Sequence, residues 1–88
     1  MSAQTQSTTI TIKVRYFALL REETGIEAET LTMAPGTLSD LYKLLQERYK
    51  FSLPLDAVRA AVNNRFCSWQ TNLCEGAEIV FVPPVAGG

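Results

Sequence analysis

The stretch "EIVFV", residues 78–82, is apolar on both faces: Ile79 and Phe81 fall in one phase, Val80 and Val82 in the other. A strand with no polar face belongs in the middle of a sheet, or it turns one face to a partner. It runs directly into "PPVAGG", residues 83–88, where two prolines fix φ and two glycines offer nothing to pack. Small residues collect at chain ends. The plain reading of the glycines is therefore a frayed terminus; the sharper one makes the terminal carboxylate a working group.

Working outward, Glu75-Gly76 turns the chain into this strand, and "WQTNLCEG" before it reads as connection. In "VRAAVNNRF", residues 58–66, Val58, Ala60 and Val62 share a face. Asn63-Asn64 tolerates positive φ, which predicts a tight turn back into Phe66-Cys67. Further back, "TLSDLYKLLQERYK", residues 37–50, places Leu38, Leu41, Tyr42, Leu45 and Tyr49 on one helical face and Ser39, Lys43, Gln46, Glu47 and Lys50 on the other. Thr37 and Asp40 have the spacing of a capping box. This predicts an amphipathic helix of about four turns whose apolar stripe is core.

Pro35-Gly36 breaks the chain ahead of that helix. "IEAETLTM", residues 26–33, is a strand with Leu31 and Met33 inward; Glu27 and Glu29 share the phase of Leu31 and leave its first half ambiguous. "FALLREETG", residues 17–25, has Phe17, Leu20 and Arg21 at helical spacing and Gly25 as a stop, hence a short helix. Before it, Ile10, Ile12, Val14 and Tyr16 alternate with Thr9, Thr11, Lys13 and Arg15 as in a half-buried strand. The order predicts an α+β fold of the β-grasp kind: a mixed sheet of four to five strands, first and last strands central, one long helix across it and a short additional helix. The expected organisation is a disordered tail over 1–8, a domain over 9–82, and an extended functional tail over 83–88.

Composition narrows the function. The chain has 88 residues, 47% of them hydrophobic, and a net charge of −1. That suits one small globular domain and offers no basic surface for nucleic acid. Residues 1–9 have no apolar core for a signal peptide and nothing resembles a membrane span, so the expected location is cytoplasmic. There is no histidine, and the two cysteines, Cys67 and Cys74, have neither zinc-site nor redox-pair spacing. No metal site is expected, and acid–base chemistry has to come from elsewhere.

The segment "RAAVNNRFCSWQTNLCEGAEIVFVPPVAGG", residues 59–88, resembles the C-terminal third of the small, sulfur-carrying subunit family of molybdopterin synthase. The shared features are "AVN" before a turn, the glycine turn into the last strand, and the closing "PPV-x-GG". "IKVRYFALLREETG", residues 12–25, is similar to that family's opening strand and helix. Ala77 departs from the family, whose members commonly carry Asp there.

The resemblance implies a ubiquitin-like β-grasp. It also implies that Gly88 is adenylated with ATP by a ubiquitin-activating-like adenylyltransferase, then converted to a thiocarboxylate by a sulfur donor. The carrier then feeds sulfur to a cyclic pterin precursor (precursor Z) inside a large catalytic subunit, within a heterotetramer of paired small and large subunits. No cofactor is held permanently, and the chain is the non-catalytic, sulfur-donating half of a sulfurtransferase. Gly87, lacking Cβ, passes a narrow channel, and Pro83-Pro84 stiffens the approach. Val80, Val82, Pro83, Pro84 and Val85, or else the Phe81 phase, are expected to anchor the large subunit. Phe17 either joins them or belongs to the core. A ubiquitin-like modifier, a thiamine-type sulfur carrier, and a binding module with incidental glycines are the alternatives; the double proline and near full-length pattern favour the molybdopterin reading.

Overall fold

The computed structural model describes residues 9–84. The tail expected over 1–8, and residues 85–88, lie outside the described residues. In chain order the elements are β1 (Ile10–Tyr16), α1 (Ala18–Thr24), β2 (Ala28–Met33), α2 (Leu38–Tyr49), a 3-10 turn (Leu55–Ala57), β3 (Arg59–Val62), β4 (Arg65–Cys67) and β5 (Glu78–Val82). The strands form one five-stranded sheet in the order β2-β1-β5-β3-β4. The central pair β1–β5 is parallel and its neighbours are antiparallel. This is the ubiquitin-like β-grasp, with the first and last strands inside the sheet and the two-faced apolar β5 at its centre.

Helix α2 starts on the capping box: the Asp40 N–H donates to Thr37 Oγ1 at 3.2 Å, and the Thr37 N–H donates to Asp40 Oδ2 at 3.0 Å. Two helix-end donors that would otherwise face nothing are thereby satisfied. Leu38, Leu41, Tyr42 and Leu45 are fully buried against Ile12, Val14, Ile79 and Phe81 in one core. The Tyr42 hydroxyl donates to the Leu53 carbonyl at 2.8 Å. Burial pushes this phenol up to about 12.

Two sequence expectations change. The connection around residues 68–76 is irregular yet contributes to the core. Trp69 stacks on Phe81 with centroids 5.9 Å apart, and Leu73 is buried. Its backbone accepts from the first turn of α2, Leu38 N–H to the Thr71 carbonyl at 3.0 Å and Ser39 N–H to the Trp69 carbonyl at 2.9 Å. The ambiguous glutamate in β2 is resolved as well. Glu29 faces inward opposite Val14, where its Oε2 accepts from the hydroxyls of Tyr16 and Tyr49. A carboxylate in an apolar phase is tolerable when donors meet it.

The turn after β3 has φ of 50° at Asn63 and 73° at Asn64, the left-handed pair that lets a two-residue loop match strand twist. It pairs Val62 with Arg65, Ala61 with Phe66 and Ala60 with Cys67. Both cysteines are free, Cys67 half-buried and Cys74 exposed.

Candidate functional site

Strand β5 leaves the sheet between its two neighbours: Phe81 lies beside Tyr16 of β1, and Val82 beside Arg59 of β3. Pro83 is still buried, and the chain reaches the surface at Pro84. Whatever follows Pro84 therefore starts from a strand paired on both sides. A central strand cannot fray sideways, so the root of the tail is held from both edges.

Phe17 stands beside that root. It continues β1 in extended conformation, φ −129° and ψ 152°, and with Tyr16 turned inward its side chain falls on the other side. Ala18 then takes φ 51°, a left-handed conformation that costs an L-residue roughly 1–2 kcal/mol. The reversal sends the chain into α1, which buries Leu20 completely and leaves Leu19 at the surface. Phe17, Leu19, Leu53, Val82, Pro83 and Pro84 line an open, mostly apolar groove of about 730 Å³, with Glu22 as its charged residue.

The outer face of the sheet, opposite α2, adds a second apolar surface. Arg15, Val80, Ala61 and Phe66 form one cross-strand row through β1, β5, β3 and β4. Phe66 is 56% exposed, the most exposed large hydrophobic residue among those described. Ala61 is buried although no helix covers this face. Val82 points to the same side as Val80 and also lines the groove, so the two apolar regions meet at the tail root.

The described residues hold no group of three or more metal-ligating side chains, and of the phenols with raised pKa values Tyr16 and Tyr42 are in the core and Tyr49 packs against it. What this surface can do is recognise a partner and present a chain end to it.

The expected anchors now sort themselves. Val80 and Val82 are half-buried on the outer face, and Pro84 and Phe17 are exposed. Phe17 is 48% exposed, so the core alternative for it is excluded. Phe81 is corrected: it is fully buried, stacked on Trp69 and edge-on to Tyr42 at 5.4 Å, where no partner reaches it. Pro83 is packed into its own domain. Val85, Gly87 and Gly88 lie outside the described residues. Phe66, Leu19, Leu53 and Arg59 were not anticipated. Phe66 could have been found, because a two-residue turn at Asn63-Asn64 places it opposite Ala61, in the phase of Val80 and not of the core.

The ThiS family model matches residues 14–88. The molybdopterin synthase sulfur carrier subunit of Escherichia coli strain K12 is 34% identical over 80 residues, covering 88% of this chain and 99% of that protein. The putative molybdopterin converting factor subunit 1 of Pyrococcus furiosus superposes with a TM-score of 0.75 at 31% identity, covering 86% of this chain and 99% of that one. A chain in the complex of subunits 1 and 2 of the molybdopterin-converting factor of Helicobacter pylori 26695 superposes with a TM-score of 0.61 at 28% identity, covering 90% and 100%.

Proposed function

The chain belongs to the ThiS family, and from that membership we propose that it is the sulfur-carrier small subunit of a molybdopterin synthase. The observation that carries the reading is its match to a sulfur carrier subunit over 99% of that subunit's length. The tail root supports it: the chain surfaces at Pro84 directly from a central strand, beside an apolar groove.

In this reading a Gly88 carboxylate oxygen attacks the α-phosphate of ATP in an activating enzyme, giving an acyl-adenylate and releasing pyrophosphate. A carboxylate is a poor acyl donor until so activated. Sulfur at the sulfide level, brought by a donor, then displaces AMP and leaves a thiocarboxylate. Its sulfur is anionic and nucleophilic, and it is delivered to the cyclic pterin precursor in the large subunit. The chain has no histidine, and the general acids and bases of the transfer belong to that subunit. From Pro83 to Gly88 an extended tail spans at most ~20 Å, enough to enter a pocket while the body stays outside. The chain holds no cofactor of its own, uses ATP only through the activating enzyme, and works in the cytoplasm in a heterotetramer.

The test is intact-mass spectrometry after incubation with the activating enzyme, ATP and a sulfide source. The expected product is heavier by the replacement of one oxygen by sulfur, located on Gly88 by fragmentation. An unchanged mass, or attachment to lysine side chains in its place, overturns the reading.

A further inference from the structure

The outer sheet face is not electrically balanced. It carries Lys13 and Arg15 on β1, Glu78 on β5 and Arg59 on β3, by their shared phase with Val80 and Ala61. Arg15 pairs with Glu78 at 3.4 Å. Arg59 takes part in none of the ion pairs among the described residues. Its contact is with Phe66: the guanidinium carbon lies 4.2 Å from the ring centroid. Stacking of this kind occupies the face of the guanidinium and leaves its N–H edge free.

That edge faces no carboxylate among the described residues, and its position matters. Arg59 is the ladder partner of Val82, two residues before the chain surfaces at Pro84. From Pro84 to Gly88 the chain reaches at most ~14 Å. An enzyme whose pocket holds Gly88 therefore lies within that distance of the tail root, with Arg59 beside it. Covering a guanidinium with apolar surface leaves a desolvated charge uncompensated, which destabilises a complex strongly unless a counter-charge meets it.

We propose that Arg59, held flat on Phe66, is a specificity residue of the docking surface and receives an aspartate or glutamate carboxylate of the large subunit. This rests on the reading of the chain as a carrier that docks on such a subunit. Phe66, Val80 and Val82 supply the apolar centre of the contact; Arg59 sets its register and rejects surfaces lacking a carboxylate there. Lysine cannot substitute fully, because it has neither the planar face for the ring nor the two-pronged edge for a carboxylate.

The experiment measures Kd for the full-length chain and its large subunit at low and high salt, with melting curves to confirm folding. Variants are Arg59→Gln, Arg59→Lys and Arg59→Glu, with Lys43→Glu on exposed α2 as the control for net charge. The expected result is a loss of roughly tenfold or more for Arg59→Glu at low salt, smaller at high salt. Arg59→Gln and Arg59→Lys fall in between, and Lys43→Glu binds like wild type. Wild-type binding by folded Arg59→Glu, or an equal loss in Lys43→Glu, overturns the proposal alone. A wild-type chain that does not bind the large subunit overturns the carrier reading and this one with it.

Discussion

The rings of Tyr16 in β1 and Tyr49 in α2 meet edge to face with centroids 6.0 Å apart, and both hydroxyls donate to Glu29 Oε2, at 2.5 and 2.7 Å. One carboxylate of β2 thus ties the sheet to the far end of the long helix. Burial first, and then this carboxylate, raise both phenols above their ordinary value of 10.0.

The consequence is a stability that depends on alkaline pH. The folded state holds neutral phenols, whereas the unfolded chain ionises its tyrosines near pH 10.0. Their contribution is therefore complete below that pH and is lost as pH rises beyond it. Urea midpoints should be level to about pH 9 and fall steeply above about pH 10. Glu29→Gln removes the negative charge and should make the fall shallower. Midpoints that do not change across this range would refute the assignment.

Two phenylalanines of similar size should behave in opposite ways. Phe81→Ala empties the centre of the core and should cost about 3–5 kcal/mol in urea unfolding. Phe66→Ala removes an exposed ring and one stacked cation, costing at most about 1 kcal/mol. Calorimetric titration should show the reverse order of importance: Phe66→Ala stays folded and binds the large subunit more weakly. Equal stabilities would mean that β5 has been assigned the wrong phase.

The start of α2 offers a test of coupling. A Cβ on Gly36 would lie 2.7 Å from Asp40 Oδ2, the oxygen that accepts from Thr37. Gly36→Ala should therefore cost about 1 kcal/mol, as the loss of a helix cap does. In Asp40→Ala the same change should cost much less. Additive effects in that double-mutant cycle would show that the clash is not what matters.

At the tail, Gly87→Ala leaves the terminal carboxylate chemically intact and, on the proposed mechanism, adds a Cβ where the activating enzyme and the large subunit would each enclose the chain. The melting temperature should not move, whereas adenylation or sulfur delivery should slow by roughly a hundredfold, as small misplacements at reacting centres do. Deleting Gly88 should abolish transfer altogether. Single-turnover assays of each step would locate the tighter channel, and wild-type rates at both would reject the steric explanation.

The fold was legible wherever one residue's environment follows from its own strand or helix. The alternation in β1, the capping box at Thr37 and the paired asparagines at 63–64 each specify local geometry by a mechanism that needs no distant partner. Glu29, Trp69 and Phe81 were not legible in that way. Glu29 is explained only by Tyr16 and Tyr49, 13 and 20 residues away, and Trp69 only by its stacking on Phe81. Choosing which face of "EIVFV" is outward requires knowing that α2 covers Ile79 and Phe81, and the strand itself is apolar on both sides. The site followed the same division. Val80, Val82 and Pro84 could be named from their sequence, whereas Phe66 and Arg59 join the tail root only through the β3–β5 and β3–β4 ladders.

The parallel pairing of β1 with β5 has a consequence for biosynthesis. The sheet's two central strands are the first and last made, so no productive core exists until translation has passed residue 82. A nascent or prematurely ended chain lacking β5 leaves β1 and β3 with unpaired inner edges, and Tyr42 and Trp69 uncovered. Open edges of that kind invite aggregation and proteolysis. Because the tail continues directly from β5, a chain ended before residue 82 would be removed as unfolded, whereas one ended within the tail would fold without its working end.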